Sequence, residues 1–126
     1  MNYSITETSR LTGLSKYTLR YYEKEELIPP QIKRDSKGYR IYTQQDLEWL
    51  TFLLNIRQTG MPISKIKKFS QMRFNTKTIL TRRQMLVEHQ QNILEQTRKL
   101  QKSMAAIDAK IARYDRYLKA SDELKE

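Results

Sequence analysis

The chain has no cysteine and a single histidine, His89. Disulfide staples, thiol sensing and thiolate metal ligation are therefore excluded, and one imidazole does not make a metal site. Glycine is scarce, at 3 residues, and no Gly-rich phosphate loop is present. The longest apolar run, Trp49 to Leu54, is far too short to span a bilayer. The amino terminus has no apolar stretch of the length a signal peptide needs. The carboxylates Glu23, Glu25 and Glu26 adjoin lysine at a helix end, where a structural role is the ordinary one. Together these absences leave no enzymatic constellation and predict a soluble, cytoplasmic protein with no membrane partner, no metal and no cofactor.

What is present is charge. Of the 126 residues 30% are charged and 38% hydrophobic, enough for one small globular domain plus an extended element but not for two cores. Lys and Arg total 24 against 14 for Asp and Glu, a formal net charge of +10 that favours a polyanionic partner. Residues 1–70 carry 12 basic and 7 acidic side chains and residues 71–126 the same again, so charge alone does not locate the binding surface.

The stretch Ser4 to Tyr42 does. Ser4 followed by Glu7 is a capping box that opens a short amphipathic helix, which Thr12-Gly13-Leu14 ends. Ser15 is placed to cap a second helix of about ten residues, and a glycine-bearing turn between two short helices is the signature of a helix-turn-helix. At 100° per residue, Leu19 and one of Tyr21 and Tyr22 turn inward while Lys16, Tyr17 and Arg20 share the outward side. That side suits a major groove, because the planar fork of arginine pairs bidentately with guanine while Lys, Tyr and Thr hold phosphates. Leu27-Ile28-Pro29-Pro30 then stops helical structure. Ile32-Lys33-Arg34 and Tyr39-Arg40-Ile41-Tyr42 flank the turn-forming Asp35-Ser36-Lys37-Gly38, predicting a basic hairpin with interleaved aromatics.

These blocks resemble the MerR family of bacterial transcription regulators. The resemblance rests on Ile5-Thr6-Glu7, Thr12-Gly13-Leu14-Ser15, Thr18-Leu19-Arg20-Tyr21-Tyr22-Glu23, Leu27-Ile28-Pro29-Pro30, Gly38-Tyr39-Arg40-Ile41-Tyr42 and Asp46-Leu47, in matching order and spacing. It covers about residues 3–70 closely and the rest in general character. It implies a winged helix-turn-helix head with DNA contacts from Lys16, Tyr17, Thr18, Arg20 and Tyr21 or Tyr22 on the reading helix. On the wing it implies contacts from Arg34, Tyr39, Arg40 and Tyr42, which Lys33 and Lys37 join through their place in the basic loop. It also implies a dimer that distorts an over-long promoter spacer so that RNA polymerase can engage both elements.

Downstream, Thr43-Gln44-Gln45-Asp46 caps a helix whose Leu47, Trp49, Leu50, Leu53 and Leu54 build a small core. Gly60 ends it, and Met61-Pro62-Ile63 starts another through about Met72. Pro62 stands where the family often has a Ser or Thr cap. About Thr76 to Leu118 then reads as one helix of roughly 43 residues, about 65 Å long. Ile79, Leu86, Ile93, Leu100, Ile107 and Tyr114 recur every seven residues, and Arg83, Gln90, Thr97, Met104, Ile111 and Leu118 complete the seam. A parallel pair would oppose Arg83 with Arg83 and Gln90 with Gln90, whereas an antiparallel pair matches each with an apolar residue. One register sets Ile79 against Leu118 and Ile93 against Met104; a one-heptad shift does nearly as well.

The expected fold is thus mainly α: a winged helix-turn-helix DNA-binding head at 1–73, an antiparallel coiled-coil dimerisation helix at 76–119 and a short tail at 120–126. The expected function is a sequence-specific regulator that binds a palindromic operator in double-stranded DNA as a homodimer. An architectural DNA binder without direct activation is the alternative, and a coiled-coil protein binding RNA or acidic partners fits less well because reading-helix and wing motifs are both retained. Fewer than ten residues follow Leu118, so a signal is expected on the coil, on the head-to-coil junction or from a partner protein, if there is one.

Overall fold

The computed structural model describes residues 1–28 and 32–125, with side chains as far as Asp122. The expected break at Pro29-Pro30 lies outside the described residues. In chain order the elements are β1 (Asn2–Tyr3), α1 (Ile5–Thr12), α2 (Lys16–Lys24), β2 (Lys33–Arg34), β3 (Arg40–Thr43), α3 (Gln44–Gln58) and α4 (Ile63–Met72). A 3-10 turn (Thr76–Thr78) then leads into α5 (Ile79–Lys125). The chain divides into one compact unit, Met1–Leu86, and a second from Val87 onward.

In the first unit the helix starts follow the sequence. The Glu7 N–H donates to Ser4 Oγ and the Ser4 N–H to Glu7 Oε1, both at 3.1 Å, and these bonds hold the Glu7 carboxyl below the usual carboxylate range. Thr43 and Asp46 repeat the reciprocal box at α3, at 3.1 and 2.9 Å. Gly13, at φ 79°, gives α1 a left-handed end, and its N–H reaches the Ser9 carbonyl at 2.9 Å. The α2 end has the same handedness without glycine. Glu26 sits at φ 59°, with Glu26 N–H on the Glu23 carbonyl and Leu27 N–H on the Tyr22 carbonyl, the two-bond Schellman pattern.

The core gathers Leu14, Leu19 and Tyr22 from the helix-turn-helix, Tyr42 from β3, Leu47, Trp49, Leu50, Leu53 and Ile56 from α3, and Ile66 and Phe69 from α4. Leu54 and Phe52 are only half-buried. One backbone carbonyl, that of Leu27 just beyond α2, is the polar centre of this packing. It accepts from Trp49 Nε1 at 2.8 Å and from Ser70 Oγ at 2.7 Å, so a single oxygen ties the end of α2 to both α3 and α4. The end of α4 is tied separately. Arg73, with 8% of its side chain exposed, lies 4.8 Å over the Trp49 ring and 4.4 Å from the Phe74 ring, and pairs with Asp46 at 3.7 Å. Burial pulls the Arg73 guanidinium below its ordinary value while Asp46 opposes that pull.

The hairpin forms as expected, with Lys33 opposite Ile41 and Arg34 opposite Arg40. An unexpected third strand joins it: β1 pairs antiparallel with β3, giving the order β1-β3-β2. The hairpin turn is closed by Asp35, whose Oδ1 accepts from the Lys37 and Tyr39 N–H groups at 2.9 Å.

The long helix differs from expectation at both ends. Thr76–Thr78 is a 3-10 turn capped by Asn75, whose Oδ1 accepts from the Lys77 N–H at 3.0 Å, and α5 begins at Ile79. At the other end, residues 120–125 continue the helix instead of forming a separate tail. Lys119-Ala120-Ser121-Asp122-Glu123-Leu124-Lys125 contains no glycine or proline and mostly good helix formers, so nothing stops it. Met85 and Leu86 pack against the head core, which carries the first compact unit past residue 73.

Candidate nucleic-acid interface

The sequence predicted one inward and one outward tyrosine on α2, and the structure chooses. Leu19 and Tyr22 are buried, whereas Lys16, Tyr17, Arg20, Tyr21 and Lys24 are exposed, with Tyr17 78% exposed and Tyr21 38%. Thr18 is half-buried, and its hydroxyl accepts from Ser15 Oγ at 2.9 Å within the helix cap. The outward side therefore presents two lysines, an arginine and two phenols, a surface of hydrogen-bond donors for phosphates and base edges.

Tyr22 and Tyr42 correct two expected contacts. Tyr22 is 7% exposed and Tyr42 fully buried, so both rings support the interface from below. Burial raises the Tyr22 phenol above its ordinary value, against the counter-pull of Arg57. It pushes the Tyr42 phenol to about 12, with Arg40 pulling the other way. Hydrophobic packing wins at both positions because each ring sits on the inner face of a short amphipathic element.

On the wing, Lys33, Lys37 and Tyr39 are exposed, Tyr39 at 68%. Arg34 and Arg40 are in a different situation. Arg34 Nη2 donates to Glu23 Oε1 at 3.0 Å and Arg40 Nε to Glu23 Oε2 at 2.6 Å, so both expected DNA-contacting arginines of the wing are paired with one carboxylate at the end of α2. By contrast Lys16, Arg20, Lys33 and Lys37 make no ion pair among the described residues.

Between α2, β3 and α4 runs a groove of about 570 Å³, walled by Arg20, Glu23, Lys24, Glu26, Arg40 and Gln71. Lys24 and Gln71 were not singled out in the sequence. Lys24 had a signal, since it stands four residues beyond Arg20 and shares its face. Gln71 had none, because its place depends on how α4 packs. Among the described residues no His, Cys, Asp and Glu group of three or more could hold a metal, and no helix is long and apolar enough to cross a membrane.

The predicted dimerisation residues divide. In the second unit Leu100, Met104, Ile107, Ile111, Tyr114 and Leu118 are 52–71% exposed, and Ile93 is half-exposed. In the first unit Ile79 is 57% exposed, while Leu86 is half-buried against the head core.

A helix-turn-helix whose second helix presents free cations beside a basic hairpin is a winged helix-turn-helix head, the architecture of a groove-reading DNA-binding protein. Residues 3–73 match the family model described as MerR HTH family regulatory protein. The chain is 33% identical over 117 residues to an HTH-type transcriptional regulator of Haemophilus influenzae, covering 92% of this chain and 86% of that protein. It is 45% identical over 67 residues to the HTH-type regulator YyaN of Bacillus subtilis, spanning 53% of this chain and 48% of that one. Among solved structures it is similar to HiNmlR, a MerR family regulator lacking the sensor domain, bound to promoter DNA. That match has TM-score 0.83 and 32% identity, with 92% of both chains covered. A MerR family regulator from Listeria monocytogenes superposes with TM-score 0.91 and 31% identity over 98% of this chain and 94% of that one. The chain belongs to the MerR family and is a DNA-binding transcription regulator.

Proposed function

We propose that the chain acts as a homodimer that grips a palindromic promoter operator and distorts it, so that RNA polymerase is the protein its regulation finally serves. In this reading residues 1–73 are the DNA-binding head and 76–119 the dimerisation segment. The observation that carries it is the apolar seam of α5 from Leu100 to Leu118, which stands more than half exposed in the single chain. A soluble helix does not keep such a stripe in water when a second copy offers the same stripe. Arg83 and Gln90 interrupt the same seam, and an antiparallel pair sets each against an apolar residue. Two heads are then separated along the coil, which matches an inverted repeat with spaced half-sites. HiNmlR, similar along 92% of its length, is described bound to promoter DNA, which favours the same target class here.

On the duplex, Arg20 and Tyr21 read base edges with Lys16 and Tyr17 beside them, while Lys33, Lys37 and Tyr39 hold phosphates. Lys24 and Gln71 line the groove that the backbone follows. Untwisting or kinking a site costs on the order of a few kcal/mol, which contacts from two heads and two wings offset. The test is selection of bound duplexes from random sequence at fixed salt, followed by footprinting. Recovery of an inverted repeat with separated half-sites is the expected result. Enrichment without symmetry would overturn the palindromic dimer, and an architectural role would replace it.

A further inference from the structure

Glu23 joins two parts of the interface, the reading helix and the wing. It lies in the last turn of the reading helix α2, with only 9% of its side chain exposed. Each of its oxygens serves a different strand of the wing: Oε1 takes Arg34 of β2 and Oε2 takes Arg40 of β3. Arg34 and Arg40 are also direct cross-strand partners. Two guanidinium groups side by side on adjacent strands repel, and a carboxylate between them converts that repulsion into attachment. The second nitrogen of the same guanidinium, Arg34 Nη1, donates to the Gly38 carbonyl at 3.5 Å, so the side chain also touches the hairpin turn.

We propose that Glu23 is a specificity-determining positioning residue: it holds the wing to the reading helix through Arg34 and Arg40 and takes both arginines out of the pool of cations free for phosphate. The inference rests on the reading that wing and reading helix engage one duplex together. Phosphate contacts carry no sequence information, and a wing free to swing takes phosphates on any DNA. A wing tied to α2 reaches its phosphates only where α2 is seated on its bases. Glu23 thus lowers non-specific affinity and raises discrimination without touching DNA.

The test compares Glu23→Gln, Glu23→Asp and Arg40→Gln with the wild-type chain on a duplex selected by the wild-type protein and on an unrelated duplex of equal length, across a salt series. Melting followed by circular dichroism monitors folding. Glu23→Gln frees two guanidinium groups. It should bind the unrelated duplex about tenfold more tightly at low salt and steepen its log–log salt slope by about one to two, since each neutralised phosphate contributes about 0.9. The ratio of selected to unrelated affinity should fall about tenfold. Glu23→Asp keeps the charge but shortens the reach, so it should lose discrimination at a nearly unchanged slope. Arg40→Gln removes an arginine that is already committed, so its slope should also stay unchanged while discrimination falls.

Three results would overturn the proposal. One is a folded Glu23→Gln that weakens on both duplexes alike without a steeper slope, which makes Glu23 a fold support only. Another is unchanged discrimination in Glu23→Asp and Arg40→Gln, which applies even if Glu23→Gln does not fold. The third is a slope lowered by about one in Arg40→Gln, which places Arg40 on a phosphate. A wild-type chain that prefers neither duplex contradicts the operator reading instead, and the slopes on the unrelated duplex still test Glu23.

Discussion

Tyr42 occupies a fully buried position on β3, and its hydroxyl has no hydrogen-bond partner among the described residues. A buried unpaired hydroxyl contributes nothing to stability at neutral pH and costs part of its desolvation. Tyr42→Phe should therefore leave the free energy of unfolding unchanged at pH 7 or raise it by up to about 1 kcal/mol. The pH dependence follows from the phenol at about 12 in the folded chain against the ordinary value near 10. With the folded value the higher, ionisation of Tyr42 leaves stability untouched below pH 10 and lowers it as pH rises through 12, by about 2 to 3 kcal/mol in all. Chemical denaturation at pH 8, 10 and 11.5 checks both parts. The wild-type chain should lose more stability than Tyr42→Phe over that range, and parallel losses would refute the assignment. Residue by residue, the sequence showed that one of Tyr21 and Tyr22 turns inward but not which. Adjacent helical residues diverge by about 100°, and only the packing of the whole head selects the buried one, here Tyr22, which joins the core cluster.

Elements were legible where the information is local. Ser4 with Glu7 and Thr43 with Asp46 announced two helix starts, and Asp35 to Gly38 announced the hairpin turn, because each device closes within a few residues. β1 was not legible: two residues carry no periodicity, and its partner Tyr42 lies far along the chain. The Arg73 clamp and the shared Leu27 carbonyl were hidden for the same reason. The carbonyl makes a quantitative prediction about how α2, α3 and α4 are held together. Trp49→Phe or Ser70→Ala removes one of the two donors it has among the described residues, and each should cost about 1 to 2 kcal/mol. Together they strand a buried acceptor, so the double variant should exceed the sum of the singles by about 1 kcal/mol. Urea denaturation of the four proteins measures that coupling; strict additivity would mean that the two donors act independently.

For the whole molecule, in the proposed dimer the orientation of the α5 pair would decide whether two heads face one palindrome, and the absence of cysteine makes it directly measurable. A disulfide forms only where Cα atoms come within about 7 Å. In a parallel dimer every seam residue faces its own counterpart, so Ile111→Cys would link to itself. In the antiparallel register that matches Ile79 with Leu118, the axis falls between Thr97 and Leu100, and at about 1.5 Å per residue the two copies of residue 111 stand roughly 35 to 40 Å apart. Ile111→Cys should therefore remain unlinked under mild oxidation, while an equimolar mixture of Ile93→Cys and Met104→Cys should give a mixed dimer. Linking of Ile93→Cys to Thr97→Cys instead would indicate the one-heptad shift. Self-linking of Ile111→Cys would reverse the direction of the coil, bring both heads to one end and remove the physical basis for widely separated half-sites.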